Sequence, residues 1–157
     1  MAMLAINYSN NYKRLVNIKT FLGFDVGTKR TGVAIANSLT QQANGIDVVT
    51  HHKNGATNWQ DFDRILQTHN PDLLIVGVAY DENGEAQEMT YIAKSFARKL
   101  QKRYEIEVDL IDEYLSSSEA KNLLKYNHYH PNAKRCEVDK RSAQLILQTW
   151  LNEKRFD

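Results

Sequence analysis

A chain of 157 residues, 42% of them hydrophobic, is long enough to bury the core of one compact domain. Its formal net charge of +1 neither demands nor excludes a polyanionic partner, and its single cysteine, Cys136, excludes an internal disulfide and suits a reducing compartment. No segment approaches the roughly 20 apolar residues that cross a bilayer, and residues 1–19 lack the apolar run and cleavage pattern of a secretory signal. They are expected to form a mobile extension ahead of a single domain over residues 20–157, and the protein is expected in the cytoplasm.

In chain order, the first predicted strand, Phe21 to Asp25, is apolar on both faces, as a central strand should be. Thr31 to Ala36 follows after a tight glycine-containing turn and Ile46 to Thr50 makes a third strand, together an antiparallel meander. Asn58 opens a helix with Trp59, Phe62, Ile65 and Leu66 on one side, ended by His69, Asn70 and Pro71. Asp72 to Val78 is a buried strand of the parallel type. The helix from about Glu85 to Tyr104 carries Met89, Ile92, Ala93, Phe96 and Leu100 on one stripe. Ile106 to Ile111 is a fifth strand, and Ser116 with Glu119 forms a capping box for a short helix through Leu123 and Leu124. The polar loop Asn127 to Cys136 leads to a last helix, about Val138 to Glu153, with Leu145, Ile146, Thr149 and Trp150 inward. The order βββαβαβαα predicts an α/β domain with a mixed sheet and helices on its faces.

One residue sits oddly in this scheme. Alternation puts Phe21, Gly23 and Asp25 on one face of the first strand, so an apolar strand ends on a carboxylate. If Gly32, Ala34 and Ala36 of the next strand share that face, a helix or a ligand can approach the sheet closely there. A carboxylate on a central strand is costly unless it is paired or binds a cation, whereas an Asp-x-Gly that only begins a turn caps local backbone N–H groups. Two further acids stand in suggestive places: Asp112-Glu113 where the fifth strand ends, and Asp139 in the first turn of the last helix. Each has an ordinary reading by itself, as a solvated strand end and a helix-dipole complement.

The four stretches FDVGTKRTGVAIA, VGVAYDENGE, DEYLSS and VDKRSAQLIL, in this order and spacing, resemble the YqgF (RuvX) family of pre-16S rRNA nucleases, also described as Holliday-junction-resolvase-like. The resemblance covers about Phe21 to Glu153. It implies a ribonuclease H-like fold with a five-stranded sheet of order 3-2-1-4-5. It also implies a catalytic, metal-holding set of Asp25, Glu113 and Asp139, with Thr28 and Lys29 near the scissile phosphate. The chain departs from the pattern at Tyr114, where the family has arginine, at Val78 and Ala79, where it has Leu-Pro, and at Glu137, where it often has a basic residue. Arg135 and Lys140 are the cations able to compensate. In that strand order the fifth strand lies two spacings, roughly 10 Å, from the first. Glu113 must therefore lean inward, or Asp112 or Glu82 supply the ligand instead.

Three carboxylates without thiol or histidine favour hard cations, hence Mg²⁺ or Mn²⁺, and two such ions can drive an in-line displacement at phosphorus. Gly27, lacking Cβ, lets the turn backbone approach a phosphate, and Lys29 neutralises one of its oxygens. The expected activity is phosphodiester hydrolysis in nucleic acid, with structured RNA favoured over a DNA junction. Oligomeric state, monomer or dimer, stays open. His128, His130 and Cys136 make an incomplete zinc set. Lys134 and Arg135 could meet a nucleic-acid backbone, and Tyr126 and Tyr129 could stack on bases. His51-His52 reads as surface. The rival functions are an ATP-binding domain, which shares the Asp-x-Gly-Thr turn, and a non-catalytic RNA-binding scaffold.

Overall fold

A computed structural model describes residues 17–113 and 135–154. Within them the strands are β1 (Thr20–Val26), β2 (Arg30–Asn37), β3 (Asn44–Thr50), β4 (Leu73–Val78) and β5 (Val108–Asp112). The helices are α1 (Trp59–His69), α2 (Glu88–Tyr104) and α3 (Arg135–Lys154). The capping box at Ser116, the helix through Leu124, and Tyr114, Tyr126, His128, Tyr129, His130 and Lys134 lie outside the described residues.

The sheet has the order β3-β2-β1-β4-β5. β1 pairs antiparallel with β2 and parallel with β4, so the apolar first strand is indeed central. Leu22 and Phe24 point to one core, where Phe24 meets Phe62 and Phe96 edge-on at 6.0 and 5.9 Å. Phe21, Ala34, Ala36 and Ile75 point to the other, beneath α3. Each face of the sheet is thereby covered by helix, as buried β1 and β4 require.

Local chemistry sets the helix ends. Asn58 accepts from the Asp61 N–H at 3.3 Å, and Asn70 closes α1 in the left-handed region at φ 44°, its N–H donating to the Leu66 carbonyl at 2.8 Å. The second helix starts three residues later than expected, at Glu88, because Asp81 organises a turn first. Its side chain accepts from the N–H groups of Asn83 and Glu85, with Gly84 at φ 78°. Gln87 and Thr90 then cap α2 reciprocally.

The last helix departs more from expectation. It begins at Arg135, and its buried face is Ala143, Ile146, Leu147, Trp150 and Leu151. Leu145 and Thr149, expected inward, are only half-buried, and the Thr149 hydroxyl donates to its own helix at the Leu145 carbonyl. Apolar residues are spread around this helix, so periodicity does not choose its face; gaps in the sheet do. A Cβ on Gly23 would stand 2.8 Å from Leu147 Cβ, and one on Gly32 would stand 2.1 Å from the Asp139 carbonyl oxygen. Polar ties fix the far ends of α3. Gln148 and Gln144 accept from the N–H groups of Ala43 and Gly45, and Trp150 Nε1 donates to Asp109 on β5 at 2.8 Å.

Gly32→Ala would force the helix and sheet apart at their closest point. It should lower stability by about 1–3 kcal/mol, the usual penalty for overpacking, read as a shifted urea midpoint at unchanged slope. An unchanged midpoint would show that the close approach is not required.

Candidate active site

Asp25 is the next-to-last residue of β1 and lies opposite Gly32 of β2. Because Gly32 has no Cβ, the first turn of α3 descends onto β2 until the Asp139 carbonyl occupies the space a side chain would fill. Asp139 is thus brought beside Asp25 by backbone contact with the neighbouring strand. Glu113 is the first residue beyond β5, tied by its N–H to the Val78 carbonyl at 3.0 Å. Its Oε2 lies 2.8 Å from where a Cβ on Gly77 would stand. The carboxylate therefore reaches back over β4, the strand next to β1, and the inward lean that the strand order demands is achieved. Asp112 and Glu82 are exposed.

The electrostatics follow from this crowding. Burial, then the charge of Glu113, then that of Asp139 push the Asp25 carboxyl up to about 8. Burial, then Asp112, raises Glu113 also. Against them stands Arg30 at the start of β2, on the face shared with Gly32, whose Nε donates to Asp139 Oδ2 at 2.8 Å. Their side chains are 28% and 23% exposed, so this ion pair is only partly screened. Among the described residues no three His, Cys, Asp or Glu side chains close into a ready metal cage. The acids share a field rather than a finished coordination shell. The donor set is carboxylate oxygen throughout, over a surface kept free of side-chain bulk by Gly32 and Gly77, and that chemistry fits a hard divalent cation.

The turn between β1 and β2 presents the other expected residues. A Cβ on Gly27 would stand 2.3 Å from the Arg30 carbonyl oxygen, so this turn closes only around glycine, and it leaves Thr28 and Lys29 exposed. Arg135 is exposed at the first residue of α3. Lys140 is half-buried, and its backbone carbonyl and Cβ lie over Gly45 of β3, two strands from Asp25. Sequence reasoning passed over Arg30, although a cation two residues before Gly32 must share its face, and it missed Gly77 as the seat of Glu113. His51 also differs from expectation. It is half-buried just past the end of β3, its N–H bound to the Lys29 carbonyl and its Nε2 2.8 Å from Thr31 Oγ1.

A carboxyl whose folded pKa lies near 8, above its ordinary 3.8, holds its proton more tightly folded than unfolded. The stability it contributes is complete below about pH 4 and is lost as pH rises towards about 8. In buffer containing EDTA, the melting-temperature advantage of Asp25→Asn over the native chain should be small near pH 5 and grow steadily to pH 8. A constant difference by scanning calorimetry would mean that Asp25 does not feel its neighbours.

The sequence profile of the RuvX family, described as Holliday junction resolvase, matches residues 19–153. Proteins from Coxiella burnetii and Aeromonas hydrophila, each named "Putative pre-16S rRNA nuclease", are 35% and 36% identical to this chain over 134 and 135 residues. Those alignments cover 85% and 86% of this chain and 93% and 96% of the relatives. Among solved structures, RuvC of T. thermophilus in complex with Holliday junction substrate superposes with a TM-score of 0.53 at 11% identity, covering 87% of this chain and 95% of that one. The fowlpox virus Holliday junction resolvase gives 0.53 at 17% identity, covering 85% and 99%. At such identities these two likenesses speak for the fold, which is ribonuclease H-like. With the order β3-β2-β1-β4-β5 and a family match running from just before β1 almost to the end of α3, the chain belongs to the RuvX (YqgF) family.

Proposed function

We propose that this chain is a metal-dependent nuclease that hydrolyses phosphodiester bonds, and that its substrate is structured RNA, in 5′ maturation of pre-16S rRNA. The observation that carries the catalytic part is the gathering of Asp25, Glu113 and Asp139 from three separate elements at one end of the sheet, over Gly32 and Gly77. A buried carboxyl such as Asp25, raised further by neighbouring acids, is costly to keep, and such costs concentrate at working sites. The choice of RNA rests on the relatives at 35–36% identity, whose names specify pre-16S rRNA.

In this reading Asp25, Glu113 and Asp139 hold Mg²⁺ or Mn²⁺. A pair of such ions, when bound, supplies Lewis-acid stabilisation of charge on the attacking and leaving oxygens. The chain's own residues do the rest. The half-buried Gly27 backbone and the exposed Thr28 with its hydroxyl face the phosphate, and Lys29 and Arg135 offer exposed positive charge to the strand. Arg30, inside the acidic cluster, offsets part of its charge and so lessens its repulsion of an approaching phosphate. Hydrolysis joins a water oxygen to phosphorus and breaks one P–O ester bond, leaving one product with a terminal phosphate and the other with a hydroxyl.

Precursor-like rRNA and a four-way DNA junction, assayed in parallel with Mg²⁺, Mn²⁺ or EDTA, test the proposal. Cleavage of the RNA with either metal, lost with EDTA and reduced about 10⁴-fold in Asp25→Asn, is expected, since members of a catalytic unit fail together. Preferential cutting of the junction would reverse the substrate assignment. Wild-type rates in Asp25→Asn would dismiss the site.

A further inference from the structure

The Gly27–Thr28 turn has a second side. On the face of the sheet covered by α1 and α2, a cleft of about 340 Å³ opens between this turn, the loop after β3 and α2. Gly27, Thr28, His51, Thr57, Ser95 and Lys99 give it its polar lining, and Phe96 belongs to the apolar core beneath. Its volume sits at the low end of the roughly 300–1,000 Å³ usual for ligand sites. None of the described residues lining it is acidic, whereas the carboxylate cluster across the turn is. The cleft and the carboxylate cluster lie on either side of the Gly27–Thr28 turn and differ in charge.

That boundary is built firmly. The His51 N–H donates to the Lys29 carbonyl at 2.9 Å, anchoring the loop to the turn, and the His51 ring is held between fully buried Thr31 and Phe62. Its Nδ1 is enclosed and has no hydrogen-bond partner among the described residues, a rare condition for a polar atom in a stable core. Burial, then His52, lowers the ring's pKa, so the imidazole stays neutral and adds no charge of its own. The cation of the cleft is Lys99, and hydroxyls come from Thr28, Thr57 and Ser95. One positive charge, several hydroxyls and an apolar floor match the three parts of a nucleotide: phosphate, sugar and base.

We infer that this cleft, joined to the carboxylate cluster through the Gly27–Thr28 turn, is a subsite for one unpaired nucleotide of the substrate strand flanking the scissile phosphate. The inference rests on the nuclease reading above for the strand's presence, but not for the cleft's affinity. A strand crossing the turn would place a phosphate at the acids and its neighbour's base and sugar within the cleft. A duplex, whose bases are stacked inward, could not enter it.

The full chain in EDTA, labelled with ¹⁵N, is titrated separately with adenosine 5′-monophosphate, inorganic phosphate and adenosine. The monophosphate should shift the amide signals of Gly55, Ser95 and Lys99 more strongly than either fragment. Ser95→Phe, which fills the cleft, should abolish those shifts. The exposed, fold-neutral Lys99→Gln should weaken binding about tenfold, the low end for a charge-assisted hydrogen bond. In the cleavage assay Lys99→Gln should raise KM and leave kcat nearly unchanged. Equal shifts from inorganic phosphate alone, or binding indifferent to Lys99→Gln, would overturn the nucleotide assignment. Cleavage without a monophosphate response at these residues removes the subsite and leaves the nuclease. A response in a chain that cuts no nucleic acid upholds the cleft and removes the nuclease.

Discussion

The closeness of α3 to the sheet governs what this molecule can do. A helix normally lies about 10 Å above a sheet, a full layer of side chains away. Here Gly23, Gly32 and Gly45, on β1, β2 and β3, remove that layer along one track, and the helix backbone settles into it at Asp139 and Lys140. The result is positional. An aspartate on a helix becomes a neighbour of an aspartate on a strand, which ordinary helix-on-sheet packing would keep apart. Gly77 does the same for Glu113, so two acids reach Asp25 across strands that carry no side chain in the way.

Two aspartates show how location decides the charge. Asp63, half-exposed on α1, is hydrogen-bonded by Arg103 and then Tyr104, and its carboxyl is drawn down to about 2. Asp25 is pushed the other way, by burial first and then by the acids around it. Repulsion of that kind needs a rigid frame to contain it. The opposite face supplies one in the aromatic cluster of Phe24, Trp59, Phe62 and Phe96, where Trp59 stacks on Phe96 at 5.8 Å and carries the Arg103 guanidinium on its ring. Arg30 supplies the local remedy, an ion pair with Asp139 that removes part of the like charge without burying a lone cation.

Much of this was legible in the chain. The double-sided apolar run at Phe21, the caps Asn58 and Asn70, and the small residues Gly32, Ala34 and Ala36 each carry a local rule, and each appears where that rule places it. What was not legible is what depends on partners far away in sequence. The face of α3 is chosen by gaps under it, so Leu147 displaced Leu145 from the core. The start of α2 was taken by Asp81, whose hydrogen bonds outcompete a first helical turn. Nothing near His51 in the chain announces Thr31, twenty residues back, so the sequence alone reads it as surface.

The departures from the family pattern look different once their atoms are placed. Val78 and Ala79 stand where the family has Leu-Pro, yet the site uses them through their carbonyls: Val78 accepts from the Glu113 N–H, and Ala79 from the Thr90 hydroxyl. Carbonyls are indifferent to the side chain beside them, so a valine and an alanine hold Glu113 and the start of α2 as well as other residues would. The glycine before them is another matter, since a methyl at Gly77 would meet the Glu113 carboxylate and Ile146 together. Val78 and Ala79 serve here through their backbone, while bulk at Gly77 would close the path between β5 and Asp25. That division is what a site assembled by close approach, rather than by side-chain contact, requires.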